Sequence, residues 1–243
     1  MEHAADLSEE AVAVALPERP VRAYPAILST HADALAWARA GAPEGALVVA
    51  AYQASPRGRG GLEWDVQQDR SLGFSLVLRP RLPAPREGWL YVVAACGVAD
   101  FVGSDAATVW PDEVVSSGRR AGAVSVQAEV GPVLVEWAVV SVLVEDVVPP
   151  RAPVLARVVA AIEARYRSSN VPVLADYLRR CQTIGRRVRA RLIPLGPSGP
   201  TVVGKAVNVL TDGALVIERD DGARVAVRPQ NLGLLEDDQT GAS

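Results

Sequence analysis

Tyr52-Gln-Ala-Ser-Pro-Arg-Gly-Arg-Gly-Gly-Leu-Glu-Trp64 follows directly on the apolar run Ala46–Ala51. A buried strand that opens into two arginines set between glycines gathers cationic side chains and bare backbone N–H groups in one place. Such a loop can wrap a phosphate or an adenylate. Lys205 is the only lysine of the chain, so any cationic chemistry upstream of it falls to arginine.

Working outward, Ser29 or Thr30 is expected to cap a helix running to about Ala40, with Asp33 in the capping-box position relative to Thr30. Gly41-Ala-Pro-Glu-Gly45 ends it, and Ala46–Tyr52 reads as a strand. From Ser71 to Arg79 the pattern alternates, with Leu72, Phe74, Leu76 and Leu78 on one face. Helices are expected at Glu87–Val102, Val154–Arg167 and Val171–Cys181. Strands are expected at Thr108–Trp110, Ala121–Val130 and Val133–Glu145. Mixed helices followed by clustered strands indicate an α+β domain, not a doubly wound sheet. At Ile184-Gly185 the texture changes to short strands punctuated by Asp212-Gly213 and Asp221-Gly222 turns, which predicts a small β-barrel. The expected organisation is a flexible leader over residues 1–20, a catalytic domain over 21–184, a C-terminal barrel over 185–236 and a flexible tail over 237–243.

Composition narrows the function. A hydrophobic fraction of 49% supports a real core, and 28 acids against 25 Lys and Arg argue against a general nucleic-acid footprint. Two cysteines and two histidines, with no pair at ligand spacing, predict no metal site. Cys96 sits in an apolar context and reads as a buried thiol. That reading, with no signal-type leader and no apolar run of membrane length, places the expected location in the cytoplasm, with no membrane partner.

An ordered series of motifs then resembles a known family, the biotin–protein ligases, in a short form without a DNA-binding domain. The series is Ser29-Thr30, Gly41-Ala-Pro-Glu-Gly45, Gln53, Arg57-Gly-Arg59, Gly61, Trp64, Ser75-Leu-Val-Leu-Arg-Pro80, Trp110-Pro111, Ala121-Gly122, Glu129 and Thr183-Ile-Gly-Arg-Arg-Val188. The resemblance implies a biotin/lipoate ligase-like catalytic domain followed by an SH3-like barrel. It implies ATP and Mg2+ with biotin as substrate, formation of biotinyl-5'-adenylate, and transfer of biotin to a lysine of a biotin carboxyl carrier protein. By this resemblance Arg59 fastens the adenylate and Arg119 stands at the lysine that touches biotin and the acyl phosphate. Arg57 contacts phosphate, Gly58 and Gly61 permit backbone geometry that a side chain would block, and Trp64 closes the motif. Ser29, Thr30 and Gln53 line the biotin site, with Trp110, Ala121 and Gly122 in the matching ligand motifs.

The sequence also departs from that pattern. The family's Lys-Trp-Pro-Asn-Asp stands here as Val109-Trp110-Pro111-Asp112-Glu113, its Lys-Leu-Ala-Gly as Arg119-Arg120-Ala121-Gly122, and its Gly-x-Gly-x-Asn as Ser141-Val-Leu-Val-Glu145. Two adjacent carboxylates, Asp112 and Glu113, thus stand where an anionic product belongs, and arginine is a planar fork where lysine is a compact charge. Two readings stay open: a ligase with impaired activity, or an inactive paralogue that binds a carrier protein, a nucleotide or a true ligase. A homo-oligomer is a further open alternative.

Overall fold

The computed structural model describes residues 6–67, 70–196 and 198–238. Seven strands form the larger sheet: β1 (Val21–Tyr24), β2 (Leu47–Ala50), β3 (Leu72–Leu78), β4 (Ala107–Val109), β5 (Glu113–Ser116), β6 (Arg119–Val130) and β7 (Val135–Val144), in spatial order β1-β2-β3-β7-β6-β5-β4. β1 and β2 run parallel and the other neighbours antiparallel.

Alternation along β3 explains why both faces are covered. Leu72, Phe74, Leu76 and Leu78 join the main core, together with residues of α3 (Trp89–Val102) and α4 (Arg151–Arg167). Val77 points the other way, into a smaller cluster with Ala34 and Ala38 of α2 (Thr30–Arg39) and with Val48, Trp137 and Val139. All seven β3 residues are therefore buried. α5 (Asn170–Arg180) adds Val173 and Tyr177 to the main core.

α3 crosses α4 at Gly97. A Cβ there would lie 2.5 Å from the Ile162 Cα and 2.8 Å from its backbone nitrogen, so the two helices could not keep their spacing. Gly97→Ala is expected to destabilise the fold by about 1–3 kcal/mol, measured as a lowered midpoint in urea with unchanged slope.

The second sheet comprises β8 (Arg187–Leu192), β9 (Thr201–Val209), β10 (Leu215–Glu218), β11 (Arg224–Val227) and β12 (Leu232–Asp237). Its order is β11-β10-β9-β8-β12, antiparallel throughout. The expected SH3-like barrel is corrected here: the sheet is open, with β11 and β12 at opposite edges. β11 has only four residues, and β12 is led to β8 by the Pro229–Asn231 turn instead of reaching round to β11. Leu215, Ile217, Val227 and Leu232 continue the main core, so this sheet is packed against the larger one.

Within the described residues, the expected leader and tail overlap regular elements. Glu9–Ala15 forms α1, capped by Ser8, whose Oγ accepts from the Ala11 N–H; Leu7 and Val12 are buried. At the other end Asp237 still belongs to β12. The Asp238 carboxylate is buried against Arg187 at 3.0 Å and Arg189 at 2.9 Å. Residues 1–5 and 239–243, parts of the expected leader and tail, lie outside the described residues.

Candidate functional site

The glycine–arginine loop is a narrow hairpin. Its ends are joined by Trp64 N–H to Pro56 O at 3.0 Å and Gly58 N–H to Leu62 O at 2.7 Å. The tip is a 3-10 turn over Arg59–Gly61, and Gly60 (φ 65°) and Gly61 (φ 77°) take left-handed backbone that a side chain would strain. Gly58 differs from Gly60 and Gly61. Its backbone is extended, and what a Cβ would meet is the Trp64 indole nitrogen at 2.3 Å. The glycine lets Trp64 lie flat on the loop.

That hairpin delivers Arg59 into the interior. Its Nε donates to Asp112 Oδ2 at 3.0 Å and its Nη1 donates to the Leu232 carbonyl of β12. The Arg59 side chain is 10% exposed and that of Asp112 19%. Burial pushes the Asp112 carboxyl upward from its ordinary value, while the Arg59 guanidinium pulls it back down. Arg59 stands on the wall between two cavities. One, of about 530 Å³, is bounded by His31, Arg57, Tyr91, Ser125, Gln127 and Gln230. The other, of about 290 Å³, is bounded by Trp64, Val109, Asp112, Glu113, Arg120 and Leu234. Arg57 is exposed and donates to Gly61 O of its own loop at 3.0 Å.

Gln53 borders a third cavity of about 230 Å³ together with Trp64 and Gly73. Its Oε1 accepts from the Thr30 N–H at 2.8 Å and from Thr30 Oγ1 at 3.0 Å. The amide nitrogen is thereby turned to Gly73, where a Cβ would lie 2.4 Å from it. Behind Thr30 runs a buried chain of hydroxyls: Ser75 Oγ donates to Thr30 Oγ1 at 3.0 Å, and Ser75 meets Ser141 Oγ at 2.8 Å. Because the Ser75 proton is committed to Thr30, Ser141 donates to Ser75 and accepts from His31 Nδ1, 2.9 Å away. His31 Nε2 meets the Gln127 side chain at 3.0 Å, and burial lowers the His31 pKa from its ordinary value. Ser29 occupies the N-cap position of α2 without a capping bond, and its buried Oγ has no hydrogen-bond partner among the described residues. The Asp33 carboxylate is turned to Arg22 and Tyr24 and not to the helix end, so the expected capping box does not form.

Other expected site residues lie elsewhere. The Arg119 side chain is 76% exposed and paired with Asp146. Its neighbour Arg120 reaches the smaller Arg59 cavity instead, donating from Nε to Glu145 at 2.6 Å and from Nη2 to the Asp65 carbonyl at 3.1 Å. Trp110 is buried, with its indole N–H on Gly213 O at 2.9 Å and its backbone N–H on Thr183 Oγ1 at 2.9 Å, tying the two sheets together. Gly122 faces α3, where a Cβ would lie 2.8 Å from Val98 Cγ1, and the Ala121 carbonyl accepts from Glu145 N–H. Leu143 is fully buried, between Gly73 of β3 and Ala123 of β6. Among the described residues no group of three or more His, Cys, Asp or Glu is placed to hold a metal ion, and no helix is long and apolar enough to cross a membrane.

No family model matches the chain. The fold is that of biotin protein ligases: it superposes on the Aquifex aeolicus biotin protein ligase in complex with biotin and ATP with a TM-score of 0.69 at 18% identity, covering 90% of this chain and 99% of that one. In sequence it is 31% identical over 225 residues to the biotin–[acetyl-CoA-carboxylase] ligase of Mycobacterium tuberculosis, covering 82% of each chain. It is also 24% identical over 227 residues to the bifunctional ligase/repressor BirA of Bacillus subtilis, covering 81% of this chain and 68% of that one. The chain belongs to the biotin–protein ligase family.

Proposed function

We propose that the chain condenses biotin with ATP to biotinyl-5'-adenylate, releasing pyrophosphate, and passes the biotinyl group to a lysine of a biotin carboxyl carrier protein, with slow turnover. The observation that carries this reading is Arg59 at the tip of the glycine–arginine hairpin, its side chain only 10% exposed and set on the wall between two cavities. The first step joins two anions, a carboxylate and the α-phosphate. A desolvated guanidinium at their meeting point offsets the repulsion and holds the mixed anhydride that forms. Gln53 cannot accept from the substrate, because its oxygen is taken by Thr30; its amide nitrogen donates, which suits a carbonyl or carboxylate oxygen. In the second step the lysine amine attacks the acyl carbon, forms the amide and expels AMP. The hairpin shields the anhydride from water in the meantime. Magnesium would enter as the counter-ion of the ATP phosphates, since the described residues offer no cage of their own.

Slow turnover follows from the cations the site lacks. Val109 carries no charge and Arg119 is turned to solvent. The second reading is an inactive paralogue that binds a carrier protein or nucleotide; the fully buried Leu143 beside Gly73 favours it, by filling space on the ligand side of the sheet. Biotin-dependent ATP–pyrophosphate exchange separates the two. The proposal expects measurable exchange well below that of a ligase with both motif lysines, and no exchange at saturating biotin and ATP would leave the paralogue.

A further inference from the structure

We propose that Asp112 is a built-in counter-ion for Arg59: its carboxylate occupies the guanidinium that the site needs, and an incoming phosphate must displace it. Two of the three guanidinium nitrogens are already engaged, Nε by Asp112 and Nη1 by the Leu232 carbonyl. A phosphate is held best by two parallel N–H donors of one fork, and the Nε side of this fork is closed. Asp112 borders only the smaller of the two cavities that Arg59 separates. An anion entering the larger one therefore has to draw Arg59 off its partner.

The same contact spans three parts of the chain. Arg59 sits at the tip of the hairpin, Asp112 in the turn between β4 and β5, and Leu232 at the start of β12 in the second sheet. Gly60 and Gly61 provide the freedom for the tip to move, and nothing lies within 4 Å of the place where a Cβ would be on either. Displacing Asp112 thus loosens the hairpin and its hold on β12 together. The device selects for ligands: an anion too weak to outcompete a buried carboxylate leaves the hairpin shut, and a polyphosphate opens it. The neighbouring Glu113 adds negative charge, and the bond to Arg59 comes from Asp112.

The inference rests on the proposed adenylate-forming role only for the identity of the natural anion, so inorganic pyrophosphate serves as the probe. The full chain, Asp112→Asn and Glu113→Gln are compared by calorimetric titration with pyrophosphate and by amide hydrogen exchange without ligand. Asn keeps an acceptor for Arg59 while removing the charge. Asp112→Asn is expected to bind pyrophosphate at least tenfold more tightly and to exchange the Arg59–Leu62 amides at least tenfold faster, with Glu113→Gln within threefold of the parent in both. Equal effects in the two variants, failure of either change in Asp112→Asn, or no pyrophosphate binding in any of the three chains overturns the proposal. If both changes occur while no chain supports biotin-dependent exchange, the counter-ion stands and the ligase reading falls.

Discussion

Arg59→Ala is expected to lower biotin-dependent ATP–pyrophosphate exchange by at least about 100-fold, the usual effect of removing a preorganised charged donor from a site where charge develops. The side chain has two jobs, and they are separable. It offers a desolvated cation to the acyl phosphate, and it neutralises Asp112 while binding the Leu232 carbonyl. Alanine removes both, so the variant should also lose about 1–3 kcal/mol of stability, because a mostly buried carboxylate is left without its partner. Combining Arg59→Ala with Asp112→Asn isolates the first job. The double variant should regain most of the thermal midpoint, since the orphaned charge is gone, yet recover none of the exchange. Exchange by a folded Arg59→Ala protein within about threefold of the parent would remove Arg59 from the chemistry.

What could be read from the sequence was local. The apolar run before Tyr52, the spaced glycines and the alternation of Ser71–Arg79 each encode their structure within ten residues or so, and β2, the glycine–arginine loop and β3 stand close to where those patterns put them. The partner of Arg59 could not be read, because Asp112 and Leu232 lie 53 and 173 residues away along the chain and only the folded sheets bring them together. The different settings of Arg119 and Arg120 have a sharper cause. The β5–β6 register shifts between Val114 and Val115, and a one-residue slip turns every side chain to the opposite face. Asp-Gly turns announced hairpins in the second sheet, but they carry no information on whether its two edges meet. Leu232–Asp237, with its glycine and acidic end, gave little sign of being an edge strand. Ser75 and Ser141 looked like ordinary strand residues; their hydroxyls matter only because β3 and β7 pair Ser75 directly with Ser141. The leader did hold a signal, Ser8 followed by Glu9 and Glu10, which is a helix N-cap with acids in its first turn.

That N-terminal segment carries the largest expected effect on stability. Arg151→Ala is expected to cost about 3–5 kcal/mol, the penalty of leaving half of a buried ion pair behind. Arg151 is 2% exposed at the start of α4. Its Nε and Nη2 donate to the Asp6 carboxylate at 2.9–3.2 Å, and Asp6 Oδ2 also accepts the Arg151 backbone N–H at 2.9 Å. Asp6 thus caps a helix whose own N-cap, Pro150, makes no side-chain capping bond, and its negative charge sits at the positive end of the helix. Arg151 Nη1 reaches the carbonyls of Ala51 at 3.5 Å and Ser71 at 3.4 Å, the two points where the chain leaves β2 and enters β3. Those carbonyls bracket the segment that contains the glycine–arginine hairpin, so the pair anchors the base of the loop whose tip carries Arg59. The thermal midpoint of Arg151→Ala should fall by on the order of 10 °C. Asp6→Ala should fall by less, since Arg151 keeps its carbonyl acceptors, and the double variant should fall by less than the sum of the two. Strict additivity, or a midpoint change below about 2 °C in Arg151→Ala, would show that the N-terminal segment and the loop base are held by apolar packing alone.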